Sequence, residues 1–325
     1  MRKSPGFFKA IVVVSFGIFA SCLAQAQSYP SHPITIIVNA DAGGPTDIVA
    51  RALKDIMSSD LGQPIVIENR TGAGGIVGAT AAARAQPNGY TLLISGAGPL
   101  VFSPLLSANV PYDPAAFKHI ALLTTLPTIL AVNPKIEAKT VAELIALAKR
   151  KPGELMFASS GIGTPSHLAG ELFKQVGGIE IQHVPYRSVP QANLALATGE
   201  VALSFTSPSS SLPLIADGRI RALAVTGNEQ FKQAPQIPSI TQAGYRNMEV
   251  LGWFGLLAPA NTPNEIVNRL YQSAAKALAD SKVREVLSKT GGDPALQSPE
   301  EFSRYTKNER ERWGKVVRAA GIKPE

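Results

Sequence analysis

The serine, threonine, histidine and arginine residues best placed to do chemistry in this chain gather beside two glycine turns. The first turn runs Asn39-Ala40-Asp41-Ala42-Gly43-Gly44-Pro45-Thr46-Asp47, and the second Ser160-Gly161-Ile162-Gly163-Thr164-Pro165-Ser166-His167. In each, glycine lets the backbone turn sharply and proline suits the first helical position, where its missing N–H is no loss. Free amides at a helix start, with the helix dipole behind them, favour a carboxylate or a phosphate. An ordinary strand-to-helix turn that binds nothing accounts for the first stretch equally well. Ser160, Thr164 and Ser166 add hydroxyls that suit an anion held from a second side, although Thr164 or Ser166 would cap the helix in either case.

Other chemistries find less support. Ser166 and His167 could form a nucleophile and its base in an exported hydrolase, but neighbours at a helix start seldom point at each other, and no GxSxG elbow exists. The four histidines, His32, His119, His167 and His183, have no zinc-ligand spacing, so no metal is expected. Gly72 and Gly74 match the first two glycines of a dinucleotide fingerprint, yet Val77 stands where the third belongs. Close backbone packing is the better account of that loop, and no cofactor is expected. Asp47 lies four residues before Arg51, the spacing of a helical ion pair. Arg187, after Tyr186, offers a fork for a carboxylate or else a solvated surface charge.

The elements that must position these residues alternate strand and helix, which makes the class α/β. Residues 34–38, 65–69, 91–95, 156–159, 202–205, 222–225 and 253–257 read as buried strands, and the chain beyond residue 263 reads as helical. The helix over 47–61 places Ile48, Leu53 and Ile56 toward the core. Phe302, Tyr305 and Trp313 read as packing residues. Arg2, Lys3 and Lys9, an apolar stretch over 10–23 and Ala24-Gln25-Ala26 are the parts of a secretory signal peptide. Cys22 follows a poor lipoprotein signal, so a free exported chain starting at Gln27 is expected, without the only cysteine. Removing residues 1–26 takes three basic and no acidic residues from a net charge of +7, leaving +4. Such modest, scattered charge fits anionic small ligands and argues against nucleic acid.

Longer motifs then carry a resemblance. ADAGGPTDIVAR after Tyr29-Pro30, IENRTGAGGIVGA, NGYTLL, SSGIGTPSHLAGELF, VPYR, GRIRALAV, GWFGLLAPANTP and the closing AGIKPE occur in that order. In these the chain resembles the Bug-type solute receptors, the extracytoplasmic binding proteins of tripartite tricarboxylate transporters. The resemblance implies a periplasmic, two-lobe Venus-flytrap architecture of mostly parallel sheets with helices on both faces. It implies lobes built from residues 27–126 with 251–325 and from 127–250, acting as a monomer beside the membrane components of the transporter. A ligand-sensing role beside a signalling partner would use the same closure.

By the same resemblance, Ala42, Gly43, Gly44, Thr46 and Asp47 form one grip on an organic carboxylate. Ser160, Gly161, Gly163, Thr164 and His167 form the other, and Tyr186 and Arg187 close over the ligand. Asn39, Ala40, Ala97, Gly98, Ser166 and Trp253 complete the candidate set. The chain departs from the family pattern at Asn39-Ala40, where Pro-Phe is usual, at Ser188-Val189 and at Ala202. The loss of a phenyl ring at Ala40 predicts a ligand bulkier than a C4 acid, such as an aromatic or longer-chain dicarboxylate, with Arg187 or the second grip on its far carboxylate.

Overall fold

Short apolar runs become central strands and amphipathic runs cover them. A computed structural model describes residues 29–162 and 164–322, so the expected leader and Gly163 lie outside the described residues. The chain begins with β1 (Ile34–Val38), α1 (Pro45–Leu61), β2 (Ile65–Asn69), α2 (Ile76–Ala83), β3 (Thr91–Gly96), α3 (Ser103–Leu106) and β4 (Phe117–Pro127). It continues with β5 (Ile129–Val132), α4 (Val141–Arg150), β6 (Met156–Ser159), α5 (Pro165–Gly177), β7 (Gln182–Pro185), α6 (Val189–Thr198), β8 (Leu203–Thr206), α7 (Pro208–Ala216) and β9 (Arg221–Val225). It returns through β10 (Leu251–Pro259), α8 (Asn264–Ala279), α9 (Ser281–Lys289), β11 (Asp293–Gln297) and α10 (Pro299–Ala319).

Two sheets result, one ordered β11-β4-β10-β3-β1-β2 and the other β7-β6-β8-β5-β9. They are mixed rather than mostly parallel, since four of the nine strand pairings are parallel and five antiparallel. The antiparallel pairs involve β4, β5 and β10, the strands that carry the chain between the sheets, together with their neighbours. A strand entering from the other sheet does not follow a right-handed crossover helix, so nothing holds it parallel.

Within each sheet three successive strands share one plan. From β1 the chain moves out to β2 and then back across β1 to β3. Accordingly α1 packs Val49 and Leu53 on one face with Ile36 and Ile94, while α2 packs Ala79 and Ala82 on the other with Ile37 and Leu93. The second sheet repeats this over β6, β7 and β8, with Leu168 of α5 and Leu196 of α6 on opposite faces. Each lobe thus has a switch point, between β1 and β3 and between β6 and β8, and open α/β sheets take ligands outside the strand carboxyl ends there.

Some local expectations shift. The buried stripe of α1 is Val49, Leu53 and Met57, with Ile48 and Ile56 only half-buried at its flank. Strand β11 and the π-turn over Gly98–Phe102 have no clear period in the sequence. Phe302 and Trp313 are buried as packing residues, and Phe302 meets Trp253 edge-on at 5.3 Å. Among the described residues no helix is long and apolar enough to cross a membrane.

Candidate binding cleft

The loop after β1 is tied down from within. Gly43 adopts φ +80°, a left-handed conformation that favours glycine, whereas Gly44 sits at an ordinary extended φ of −73°. Asp47 is 1% exposed and accepts from Gly43 N–H at 2.8 Å, Arg51 Nε at 2.8 Å and Asn69 Nδ2 at 3.0 Å. Burial pushes the Asp47 carboxyl upward, but these bonds outweigh it and hold the group below its ordinary range. The positive end of α1 is therefore met by the chain's own carboxylate. Asn39 is equally committed, donating to Ser95 Oγ at 2.8 Å and to the Gly75 carbonyl at 3.4 Å. A Cβ on Gly75 or Gly78 would fall within 2.9 Å of Asn39 atoms, which explains the second glycine loop by close packing.

The loop after β6 is arranged differently. Ser166 Oγ accepts from Ser160 N–H at 3.1 Å, and Thr164 Oγ1 donates to the Gly161 carbonyl at 2.7 Å. Thr164 is the N-cap residue of α5 but makes no side-chain cap bond, contrary to the capping expectation, because its hydroxyl closes the loop instead. No acid lies in the first turn of α5. The first intrahelical bond of α5 runs from Leu168 N–H to the Thr164 carbonyl at 3.0 Å. Beneath the loop, the rings of His167 and His183 stack at 3.9 Å, and His183 Nε2 meets Ser159 Oγ at 2.6 Å.

A cavity of about 380 Å³ opens beside the loop after β6, facing the segments that follow β2 and β3. One side is Gly74, Ile76, Gly98, Phe102 and Leu106, and the other is Ile162, Thr164 and Pro165. Ile322, just past α10, closes an end. Among the described residues no lining side chain is charged, and the volume falls within the roughly 300–1,000 Å³ usual for small-molecule sites. A more polar hollow of about 390 Å³, lined by Glu229, Lys232 and Asp293, lies at the β11-β4 edge, away from both switch points.

Residues 49–322 match the model of the tripartite tricarboxylate transporter family receptor. The chain belongs to this receptor family. It is 33% identical over 315 residues to the protein BugT of Bordetella pertussis, covering 96% of each. Among solved structures it resembles an R. palustris protein with adipate, at 34% identity and TM-score 0.75, covering 91% of this chain and all of that one. It also resembles the periplasmic binding protein BugD, at 32% identity and TM-score 0.71, again covering 91% and all.

Within this receptor the expected residues divide. Gly98 and Thr164 line the cavity, Ala97, Gly161 and Ser166 are next to lining residues in the chain, and Ser160 and His167 stand one position further off. Ala42, Gly43, Gly44, Thr46 and Asp47 do not line it; Asp47 and the Gly43 amide satisfy each other. Asn39 is bonded to the Gly75 carbonyl and Ser95 Oγ, and Ala40 is half-buried against the core. Trp253 is 1% exposed inside the aromatic cluster, so it is a core residue because β10 is central in its sheet. Tyr186 donates its hydroxyl to Glu200 Oε1 at 2.8 Å, and Arg187 is exposed, outside the cavity wall. Ser166 does not read as a nucleophile: its hydroxyl joins those of Ser160 and Thr164, while buried His167 stacks below. Ile76 and Ile322 lie inside the quoted motifs IENRTGAGGIVGA and AGIKPE without being singled out as site residues, and Phe102 and Leu106 lie in none. The glycine turn after the third strand was the available signal, since a switch point places the segment beyond that strand at the cleft.

Proposed function

We propose that this receptor binds an organic carboxylate between its lobes in the periplasm and delivers it, as a monomer, to the membrane components of a tripartite tricarboxylate transporter. The observation that carries this reading is the start of α5. Thirteen residues of helix begin there with no acid in the first turn and no side-chain cap, beside a cavity whose described lining side chains are all uncharged. A carboxylate seated there meets the positive end of the helix, which favours negative charge. The same need at α1 is filled by Asp47. Adipate in the R. palustris relative supports a carboxylate ligand, and the apolar wall supports a body bulkier than a C4 acid.

The test is to build into α5 the acid that α1 already has. A thermal-shift screen of organic acids, followed by calorimetry, identifies a ligand for the unaltered receptor. Ser166→Asp is then expected to weaken it by about 100-fold or more, through like-charge repulsion and occupation of the helix start. Its melting temperature should stay level or rise, because an acid in the first turn contributes about 0.3–1 kcal/mol. Unchanged affinity in a folded Ser166→Asp protein would refute the site.

A further inference from the structure

Resting on the proposed carboxylate site, we infer that the ligand is a monocarboxylate with an uncharged hydrocarbon or aromatic body, and that Ile162 enforces that choice. With the carboxylate at the start of α5, the rest of the ligand faces the remaining walls. These are carbon: Ile76, Phe102 and Leu106 from one lobe, Ile162 from the other, and Ile322 at the end. Phe102 is braced edge-on by Trp313 at 5.6 Å, and both rings are buried, so this wall does not rearrange cheaply around a charge.

Ile162 is the most exposed large apolar side chain among the described residues, at 64%. It stands on the cavity rim, between Gly161 and the Thr164-Pro165 start of α5, where its neighbours are small or polar. An isoleucine held in water gains from burial, and the surface available to cover it here is a ligand's carbon body and the facing wall. Lobe closure on an apolar body buries it; closure on a carboxylate does not.

A second carboxylate would lose its hydration among these side chains, with no cation among the described lining residues to replace it. The wall offers Ser103 and Ser107, whose hydroxyls are neutral donors and weaker partners for an anion than a guanidinium. Arg187, the cation expected to take a far carboxylate, is exposed and stands off the wall.

Calorimetry at neutral pH with two matched pairs, hexanoate against adipate and benzoate against terephthalate, tests this. Each monoacid should bind at least about 100-fold more tightly than its diacid. Ile162→Ala should weaken both monoacids by about 15- to 60-fold, for two to three lost methyl or methylene contacts. Ile162→Lys should reverse the order and favour the diacids, and circular dichroism would verify the fold of both variants. Tighter diacid binding by the unaltered receptor, or monoacid affinity indifferent to Ile162→Ala, overturns this inference and leaves the carboxylate reading standing. No binding of any of the four acids overturns both.

Discussion

His183 and His119 show how single residues tie this receptor's stability to pH. Burial, then the neighbouring charges of His167 and Lys174, lower the His183 pKa from 6.5 to about 4. Burial and Arg310 do the same to His119, which is held at Thr306 Oγ1. His167 moves down as well: burial and Lys174 lower it against the pull of Glu171. Below pH 6.5 the unfolded chain therefore binds protons that the folded chain refuses. Stability is full above about pH 6.5 and falls as the pH drops toward 4, by up to about 1.4 kcal/mol per pH unit for each proton taken up. Urea unfolding at pH 7.5, 6 and 5 should show this decline, and replacing His183 and His119 with asparagine should flatten it. A decline equally steep without them would assign it elsewhere.

At the scale of elements, α1 and α5 start from similar glycine-proline turns and end in opposite electrostatic states. One acid in the first turn, Asp47, makes the difference. The aim of α5 depends in turn on how it seats against β6. A Cβ built on Gly170 would lie 2.1 Å from Phe157 Cε2, and that ring is fully buried. Alanine normally favours a helix over glycine by about 1 kcal/mol, but overpacking costs about 1–3 kcal/mol, and so severe a clash puts the cost at the upper end. Gly170→Ala should therefore lower stability by roughly 1–2 kcal/mol and weaken ligand binding, because the helix start moves with the helix. Calorimetric melting and ligand titration measure the two effects, and a stabilised variant would show that the seat yields.

Across the whole molecule, the chain passes from one sheet to the other between β4 and β5 and returns between β9 and β10. Side-chain bonds also cross, as from Gln175 Nε2 of α5 to the Val316 carbonyl of α10 at 3.2 Å. Trp313 of the same α10 backs Phe102 on the cavity wall, so one helix touches both the cleft and the opposite lobe. A ligand gripped from both sides should stabilise the receptor by about 2.7 kcal/mol at a hundredfold excess over Kd. Amide hydrogen exchange should then slow both at residues 160–168 and at residues 74–76 and 98–102. Slowing confined to one set would mean that the ligand sits on a single lobe.

Sequence alone determined the alternation of elements, because strand and helix periods are local. Ile34–Val38 and Met156–Ser159 carry their burial in their own side chains, and Pro45 and Pro165 mark their helix starts. The Asp47–Arg51 pair was legible for the same reason, since i,i+4 spacing sets it. The long ordered motifs likewise carried the family. Contacts between residues far apart in the chain were decided only by tertiary structure. Asn69, 22 residues from Asp47, helps to hold that carboxylate over the first loop. Trp253 reads as a cleft aromatic until β10 is seen between β4 and β3. The carbon wall of the cleft draws on residues 76, 102, 106, 162 and 322, which no local period connects. They meet because both switch points open on one cavity, and a switch point is a property of strand order, which a linear pattern does not contain.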